Sequence, residues 1–479
     1  MTAIEDETIT RDRQSSARTT SPHHFDPSIL REYDIRGIVG TTLYEADARA
    51  LGRAFGQMVL AHGKRIAVGR DGRHSSPMLE AALVKGLHEA GAEVERIGLG
   101  PTPMLYFAVH SLGTSAGIMV TGSHNPPNQN GFKMVLGAYP VFGDAIRALG
   151  HAAAQGVRLA GTGTIGEASV FDAYIDRLVR DCASDGVRAM KVAWDPGNGA
   201  AGAAVEAVVE RLPGKHILLN TTIDGSFPAH HPDPTIPANL RQLQQAIADE
   251  HCDFGVAFDG DGDRLGVVDG EGAIIWGDQI LTLFARDILA RRSGSVIIGD
   301  VKASQTLYDE IARAGGEPLM WKSGHALLRS KLAETGGPLA GEMSGHFFFA
   351  DGFYGHDDAI YAAIRFLGIV SRSERSVAEL RKSLTPVFNT PELRFPCPET
   401  RKGEVIAAVK DFLTRQGAVP VTIDGVRVTT PQGWWLLRAS NTEAVLTARC
   451  EATSSPALEE VKQDLVAALL SAHIEPPTM

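Results

Sequence analysis

Three aspartates alternate with glycines in the segment 259–264, which reads DGDGDR. The segment follows the apolar run 254–258, so it is predicted to be a loop at the carboxyl end of a buried strand. Residues two apart in extended chain face the same side, and the intervening glycines let the backbone turn tightly. Because hard cations such as Mg²⁺ prefer oxygen ligands, this spacing predicts a divalent metal site.

Two other interpretations compete with the metal site. An EF-hand loop needs glycine at its sixth position and glutamate at its twelfth, where this chain has Arg264 and Gly270. A solvated acidic turn is the simpler alternative, since Asp and Gly are common turn residues. Three aspartates directly after a buried strand favour the metal site over that turn.

The elements that must position this loop recur three times along the chain. Strands alternate with helical stretches such as 77–89, an order that predicts a parallel sheet with helical crossovers. The predicted strands of the three units are 65–68, 92–97 and 116–120, then 191–194, 217–219 and 254–258, then 296–300, 317–320 and 338–340. We therefore predict an internal repeat of one α/β unit.

The repeat aligns three polar loops, each directly after the third strand of a unit. They are 121–126 (TGSHNP), 259–264 and 341–346 (GEMSGH). Ligands of open parallel sheets bind outside the carboxyl ends of the strands. The three loops are therefore predicted to face one cleft.

Ser123 is the candidate nucleophile of this cleft. Neither Ser123 nor Ser344 lies in a Gly-x-Ser-x-Gly elbow, and the sequence has no P-loop motif, so hydrolase and P-loop chemistry are not supported. A serine hydroxyl can instead accept and donate a phosphoryl group, a reaction that needs a metal and fixed cations. Lys133 and Arg264 are candidate cations, and a helix cap or turn is the structural alternative for Ser123.

The chain changes character from about residue 387. We predict a smaller α+β domain there, with strands at 421–429 and 434–437 and helices at 403–416 and 456–473. The segment 438–444 reads RASNTEA, which places an arginine before three short polar side chains. Such a loop can hold a phosphate through the arginine fork, hydroxyls and backbone N–H groups, although a plain Ser/Asn turn is the alternative.

Composition restricts the functions that are open to the chain. Its 479 residues, 44% hydrophobic and 22% charged, indicate a soluble globular protein of several domains. The net charge of −11 argues against a nucleic-acid surface but allows phosphorylated small molecules. The four cysteines form no Cys-x-x-Cys pair, so neither a zinc site nor a disulfide framework is indicated. No membrane-spanning run or signal-peptide core is present, and we expect a cytoplasmic protein.

Four motifs together resemble the α-D-phosphohexomutase family, most closely its bacterial phosphomannomutase/phosphoglucomutase branch. In chain order they are TGSHNP at 121–126, DGDGDR at 259–264, GEMSGH at 341–346 and RASNTE at 438–443. The resemblance covers nearly the whole chain after the polar amino-terminal segment, and the first two motifs are highly specific together.

The resemblance implies reversible movement of phosphate between O6 and O1 of a hexose phosphate, of mannose and also of glucose. The reaction would pass through a phosphoserine and a hexose 1,6-bisphosphate, which also serves as activator, with Mg²⁺ as the metal. The partners expected are small-molecule hexose phosphates, with no nucleic acid and no membrane, in a monomer or homodimer.

The resemblance also implies roles for individual residues. The catalytic residues would be Ser123, Lys133, Arg36, Arg264 and His346. Mg²⁺ would be held by the phosphate on Ser123 and by Asp259, Asp261 and Asp263. Substrate would contact Tyr33, His124, Lys302, His325, Glu342, Ser344, Arg438, Ser440, Asn441 and Thr442. Within that set Glu342 and Ser344 would bind sugar hydroxyls. The non-reacting phosphate would be bound by Arg438, Ser440, Asn441 and Thr442.

The expected fold is three repeated α/β domains with mixed sheets and a smaller carboxyl-terminal α+β domain, arranged around one central cleft. The predicted boundaries are a disordered tail at 1–24, a phosphoserine domain at 25–168, a metal domain at 169–273, a sugar domain at 274–386 and a phosphate domain at 387–479.

Some alternatives remain open at this point. A mutase for glucosamine phosphate is one, although its sugar loop more often carries Gln in place of Met343. A sugar-phosphate binding protein or a phosphatase on the same fold is another. Ala439 and Ala444 replace two prolines of the family's phosphate loop. The loop could therefore be less rigid here, while its polar phosphate ligands are kept. Ala229 stands where the family usually has Asn.

Overall fold

The computed structural model describes residues 19–159, 161–183, 188–440 and 444–477. Within these residues the strands form four sheets of seven, five, four and five strands. The predicted tail at 1–24 lies mostly outside the described residues. Its last part packs on the first domain, where the backbone N–H of Thr20 donates to Val157 and that of His23 donates to Ala153.

The first sheet has the strand order β1-β5-β4-β2-β3-β7, with β6 paired to β5. Its strands are β1 Ile35–Ile38, β2 Arg65–Arg70, β3 Glu93–Leu99, β4 Ala116–Val120, β5 Gln129–Leu136, β6 Tyr139–Pro140 and β7 Thr164–Glu167. The helices of this region are α1 Glu45–Leu60, α2 Ser76–Ala90, α3 Thr102–Ser111, α4 Asp144–Gln155 and α5 Phe171–Ala183. The predicted helix 77–89 is α2, which begins and ends one residue further out.

The second sheet has the order β12-β11-β10-β8-β9. Its strands are β8 Met190–Asp195, β9 Gly214–Leu218, β10 Phe254–Phe258, β11 Leu265–Asp269 and β12 Ile274–Ile275, and its helices are α6 Gly202–Val209 and α7 Arg241–Glu250. The aspartate segment joins β10 to β11, as the apolar run before it predicts.

The third sheet has the order β14-β13-β15-β16. Its strands are β13 Val296–Asp300, β14 Glu317–Trp321, β15 Leu339–Gly341 and β16 Phe347–Phe349. The helices here are α8 Gly277–Leu289, α9 Gln305–Arg313, α10 His325–Thr335, α11 Ala359–Arg372 and α12 Val377–Lys382.

The fourth sheet has the order β17-β21-β20-β19, with β18 also paired to β21. Its strands are β17 Phe388–Asn389, β18 Leu393–Pro396, β19 Val426–Thr429, β20 Gly433–Ala439 and β21 Val445–Ala452, and its helices are α13 Glu399–Arg415 and α14 Ser455–Ser471. The strand predicted from residue 421 begins only at Val426. The Asp424-Gly425 pair forms a turn there, with Gly425 at φ +82°, a conformation that favours glycine.

The predicted repeat is confirmed by the topology of the first three sheets. Each contains four consecutive strands in the spatial order fourth-third-first-second: β5-β4-β2-β3, β11-β10-β8-β9 and β16-β15-β13-β14. In each sheet the first three of these strands are parallel, and the fourth runs antiparallel to the third. The loop between the third and fourth strands therefore occupies the same place in all three sheets.

The first three domains also share one apolar core. Side chains alternate across a strand, and one face of each central strand enters this core, through Ala67, Val192 and Ile297. Their neighbours Ile66, Ala193 and Ile298 enter three separate cores on the opposite faces. The shared core fixes the relative placement of the three loops.

The fourth domain packs around a core of its own, between its sheet and the helices α13 and α14. A smaller apolar cluster of Val301, Trp434 and Leu436 joins it to the third domain. No helix in the described part of the chain is both long and apolar enough to cross a membrane.

Candidate active site

The loop 259–264 brings its three aspartates together in the interior of the protein. Asp259, Asp261 and Asp263 are each 0% exposed, and each offers an oxygen that lies within 4.8 Å of those of the other two. The loop turns because Asp259 Oδ1 accepts the backbone N–H groups of Asp263 and Arg264, both at 3.1 Å. These carboxylates form an all-oxygen ligand set that could hold a metal ion.

The loop after β4 places Ser123 against this cluster. The Ser123 hydroxyl is buried and donates to Asp259 Oδ2 at 2.7 Å. The backbones of the two loops also touch, since a Cβ at Gly260 would lie 2.3 Å from the Ser123 carbonyl oxygen. The predicted serine and the predicted metal ligands are therefore in direct contact, although they come from different sheets.

Ser123 has a backbone φ of +48°, a conformation that residues other than glycine rarely adopt. Its N–H donates to Thr121 Oγ1 at 2.9 Å. His124 Nδ1 lies 3.1 Å from Ser123 Oγ. Burial, together with the positive charges of Arg264 and Arg36, lowers the pKa of His124 well below its ordinary value, so its ring is neutral.

A buried arginine that the sequence did not single out holds the serine loop in this conformation. Arg73 is 1% exposed, and its two terminal nitrogens donate to four backbone carbonyls of the loop. The acceptors are Ser123 and Asn125 at 2.6 Å, Pro126 at 2.7 Å and Gln129 at 2.9 Å. The remaining nitrogen, Nε, lies 3.2 Å from Asp71 Oδ2.

Asp71 completes this clamp from the same turn. Its carboxylate accepts the backbone N–H of Gly122 at 3.1 Å and the hydroxyl of Thr121 at 2.8 Å. From sequence alone the segment 69–73 is only a turn, because the pattern does not show that Arg73 is buried against a loop about fifty residues away. The only sequence feature that could have indicated this clamp is the aspartate and arginine, two residues apart, directly after a buried strand.

Lys133 lies on β5, the strand that pairs with β4, and it brings positive charge to the three aspartates. It is 4% exposed, and its Nζ donates to Asp261 Oδ2 at 2.7 Å and also to Asp263 Oδ2. Burial alone would lower the pKa of Lys133, but the charges of Asp261 and Asp263 outweigh it and raise that pKa well above the ordinary value.

Two arginines stand beside the serine and aspartate loops. Arg36 donates to Asp34 at 2.6 Å, to the Gly122 carbonyl at 3.1 Å and to Asn125 Oδ1 at 2.9 Å. Burial would lower the pKa of Arg264, but nearby carboxylates, Asp259 first among them, raise it. Arg264 Nε has no hydrogen-bond partner among the described residues, so this donor is available to a ligand.

The loop after β15 connects to the aspartates through His346. Its Nδ1 lies 2.9 Å from Glu342 Oε2, and its Nε2 lies 3.2 Å from Asp263 Oδ1. Burial would lower the pKa of His346, but Asp263 and Glu342 outweigh this effect and raise it to about 10. Ser344 Oγ donates to Glu342 Oε2 at 3.0 Å. Glu342 and Ser344 therefore present a carboxylate and a hydroxyl side by side.

Tyr33, His325 and Lys302 lie along the adjoining part of the cleft. The Tyr33 hydroxyl donates to the Ser323 carbonyl at 2.9 Å, which links the first domain to the third. The His325 ring stacks on His346 with centroids 5.4 Å apart. Burial and the positive charges of His346 and Lys133 lower the pKa of His325 to about 3. Lys302 Nζ lies 3.6 Å from Glu392 Oε2, so it faces the fourth domain.

The fourth domain reaches the same region through Arg438. Its guanidinium pairs with Asp424 at 3.0 Å, and Asp424 also accepts the backbone N–H of Ser323 at 3.0 Å. Ser440 is 6% exposed and follows β20. Asn441 and Thr442, the other two predicted phosphate ligands, lie outside the described residues.

Comparison with known protein families shows which family has this order of domains. Models of phosphoglucomutase/phosphomannomutase alpha/beta/alpha domains I, II and III match residues 27–155, 172–272 and 276–388, and the model of the C-terminal domain matches residues 392–468. The chain belongs to the phosphoglucomutase/phosphomannomutase family. The resemblance inferred from the four motifs, and the fold expected from it, are thereby confirmed.

Individual relatives match along nearly their whole length. A protein named phosphomannomutase/phosphoglucomutase from Pseudomonas aeruginosa is 43% identical over 437 residues, which cover 91% of this chain and 94% of the relative. A protein named phosphoglucomutase from Neisseria gonorrhoeae is 41% identical over 92% of this chain and 97% of its own length. The solved structure of a phosphoglucomutase/phosphomannomutase family protein from Burkholderia thailandensis has a TM-score of 0.88 at 43% identity, and covers 94% of this chain and 98% of that one.

The Asp71–Arg73 clamp makes a first prediction, about the order of the serine loop. Arg73→Lys should release the loop, because one ammonium cannot reach four carbonyls, and each buried carbonyl left without a donor costs about 1–3 kcal/mol. We expect faster amide hydrogen exchange at residues 122–129 and a lower melting temperature. Arg70→Lys is the matched control, since Arg70 is the last residue of β2, directly before this turn, and its guanidinium contacts Glu80 at 3.5 Å. Equal exchange in the two variants would contradict the clamp.

Proposed function

We propose that this protein is a phosphohexomutase that moves a phosphoryl group reversibly between O6 and O1 of a hexose. The phosphoryl group passes through Ser123 and a hexose 1,6-bisphosphate. The observation that carries the proposal is the 2.7 Å contact between Ser123 Oγ and Asp259, inside a cluster of three buried carboxylates. Membership of the phosphoglucomutase/phosphomannomutase family supports it, as do the names of the relatives from Pseudomonas and Neisseria.

The aspartate loop fits a magnesium ion. Asp261 Oδ1 is buried and has no hydrogen-bond partner among the described residues, so it is available to a ligand. Burial, and then the charges of Asp263 and Asp261, raise the pKa of Asp259 to about 8, and a bound cation would favour the ionised form of this carboxyl. Asp259, Asp261 and Asp263 would hold Mg²⁺ together with a phosphate oxygen on Ser123, and the bound ion would neutralise charge on the transferring phosphoryl group.

The side chains of the cleft would position Ser123 and the phosphoryl group for transfer. The Ser123 hydroxyl is already oriented by Asp259 and by the clamp on its loop. Lys133 and Arg264 place fixed positive charge beside it, where the equatorial oxygens of a phosphoryl group need stabilisation. Arg36 and His346 border the same space from the first and third domains. In each half-reaction the bond from phosphorus to the Ser123 oxygen breaks as the bond to a sugar hydroxyl forms, or the reverse.

The fourth domain suits the reorientation that such a cycle requires. A bisphosphate that donates first one phosphate and then the other must turn end for end within the cleft. Arg438 and Ser440, with Asn441 and Thr442, would hold the phosphate that is not reacting. This domain has its own core, and it meets the third domain through a small apolar cluster and through polar contacts such as the donation of Arg427 to the Val301 carbonyl. Opening would break these contacts but leave the shared core of the first three domains intact.

Magnesium dependence gives a second prediction. Asp261→Asn should raise the Mg²⁺ concentration needed for half-maximal mutase activity and lower kcat/KM by at least about a hundredfold, or 2.7 kcal/mol. Asp269→Asn is the control, since Asp269 is an equally buried aspartate at the end of β11 that pairs with Arg381 instead. Activity should be titrated with Mg²⁺ in metal-free buffer. An unchanged Mg²⁺ requirement in Asp261→Asn would argue against the metal loop.

Sugar preference gives a third prediction. Glu342 and Ser344 present adjacent groups that can bind the neighbouring hydroxyls O3 and O4, which nearly exchange places when the sugar turns over. Such contacts barely involve the C2 hydroxyl, which is where glucose and mannose differ. The two 1-phosphates should therefore differ by less than about tenfold in kcat/KM, or 1.4 kcal/mol. Galactose 1-phosphate, the C4 epimer, should react far more slowly, because the buried Glu342 would lose its partner.

The assay for this third prediction compares the four hexose 1-phosphates, glucosamine included, with a catalytic amount of the matching 1,6-bisphosphate. Ser123→Ala, which cannot carry the phosphate, is the inactive control. Faster turnover of the glucosamine compound than of the others would assign the chain to that sugar. Equal turnover of galactose 1-phosphate, or a mannose preference of several hundredfold, would show that Glu342 and Ser344 do not act as described.

A further inference from the structure

A second group of possible metal ligands lies beside the aspartate loop. It consists of Asp263, His346 and Asp357, which each offer one ligand atom within 4.8 Å of the other two. Asp357 lies between β16 and α11, and neither the motifs nor the proposed function assigns it a role. We propose that these three side chains form a distinct divalent cation site that selects Zn²⁺ and inhibits the enzyme when it is filled.

The distances fit a four-coordinate zinc ion. His346 Nε2 lies 3.2 Å from Asp263 Oδ1 and 3.9 Å from Asp357 Oδ2. Tetrahedral zinc, with bonds of about 2.0–2.2 Å to nitrogen and oxygen, needs ligand atoms about 3.4 Å apart. The two distances from His346 lie within about 0.5 Å of this spacing, and Asp263 and Asp357 each offer an oxygen within 4.8 Å of the other. Side-chain shifts would therefore bring three protein ligands together and leave a fourth position for water.

Asp357 is an independent sign that a ligand belongs here. It is 1% exposed, and neither of its carboxylate oxygens has a hydrogen-bond partner among the described residues. A buried carboxylate without partners is costly, so such groups are normally paired or bound to a metal. The neighbouring Asp358 differs, because its two oxygens accept the Tyr174 hydroxyl at 2.8 Å and the Tyr361 N–H at 2.9 Å.

The surroundings of His346 favour zinc over magnesium. Glu342 Oε2 holds Nδ1 at 2.9 Å, which directs Nε2 to the proposed ion. A carboxylate behind a metal-binding imidazole fixes the ring and strengthens it as a ligand. Imidazole nitrogen suits Zn²⁺, whereas the oxygen-only aspartate loop suits Mg²⁺. The two adjacent sites therefore differ in the metal that they prefer.

Lys133 does not block the second site. Its Nζ uses the Oδ2 atom of Asp263, while Oδ1 of the same carboxylate faces His346. The incoming ion replaces the Nε2 proton of His346, which leaves to solvent. Asp263 lies 83 residues before His346, and the ligands include no cysteine, which is why sequence spacing does not indicate the site.

The inhibitory effect rests on the proposed function, whereas the binding does not. Asp263 would serve the magnesium site and His346 borders the reacting groups. A zinc ion that engages both would take them from the phosphoryl transfer. Zinc binding to the metal-free protein can be measured without any sugar phosphate, so a failure of the site and a failure of the mutase assignment give different results.

The test is the number of zinc ions bound per chain, by titration of the metal-free full-length protein with Zn²⁺. We expect two ions for the wild type, one for Asp357→Asn, one for Asp261→Asn and none for the double variant. Asp358→Asn is the matched control, since it makes the same charge change one residue away, and it should keep both ions. One ion in the wild type, two in Asp357→Asn, or a loss in Asp358→Asn equal to that in Asp357→Asn would overturn the proposal.

A second measurement does not depend on the folding of the Asp357 variant. In Asp261→Asn protein loaded with one equivalent of zinc, X-ray absorption at the zinc edge should show one imidazole nitrogen among the ligands, and oxygen-only coordination would overturn the site. At saturating Mg²⁺, zinc should inhibit wild-type turnover at a concentration at least about tenfold lower than it does Asp357→Asn. Equal inhibition of the two would refute the inhibitory role while leaving the mutase assignment standing.

Discussion

The burial of three carboxylates within 4.8 Å of one another is the constraint on which the rest of the cleft depends. Like charges out of water repel strongly, and they persist only where positive charge is brought to them. The fold provides it from several sheets, through Lys133 on β5, Arg264 at the end of the aspartate loop and His346 from the third domain. The charge balance therefore connects domains that lie far apart in the chain.

The shared core of the first three domains makes this arrangement possible. The loops after β4, β10 and β15 start from equivalent strand ends, and each sheet buries one face in the same apolar core. The loops are consequently held against each other by packing and not only by their polar contacts. The fourth domain contributes a side chain, Arg438, from outside that core, so the cleft combines loops that one shared core holds in place with a separately packed domain.

The sequence predicted the parts of this site that depend on local pattern. Alternating aspartates after an apolar run located the aspartate loop between two buried strands, and the order of elements predicted the repeat that brings Ser123 to it. It did not predict the burial of Arg73 or the isolation of Asp357, because both depend on packing between residues distant in the chain. The strand predicted at 421–429 is also too long, since β19 begins at Val426. The Asp424-Gly425 turn lies directly before it and directs Asp424 towards Arg438 and Ser323.

The most direct test of the account is a single turnover of protein whose Ser123 carries a radioactive phosphate. The protein is freed of excess label, mixed with unlabelled glucose 1-phosphate and Mg²⁺, and quenched within one catalytic cycle. If Ser123 carries the transferred phosphoryl group, the label leaves the protein and appears in hexose 1,6-bisphosphate and hexose 6-phosphate. Label that stays on the protein, or that is released as inorganic phosphate, would contradict it.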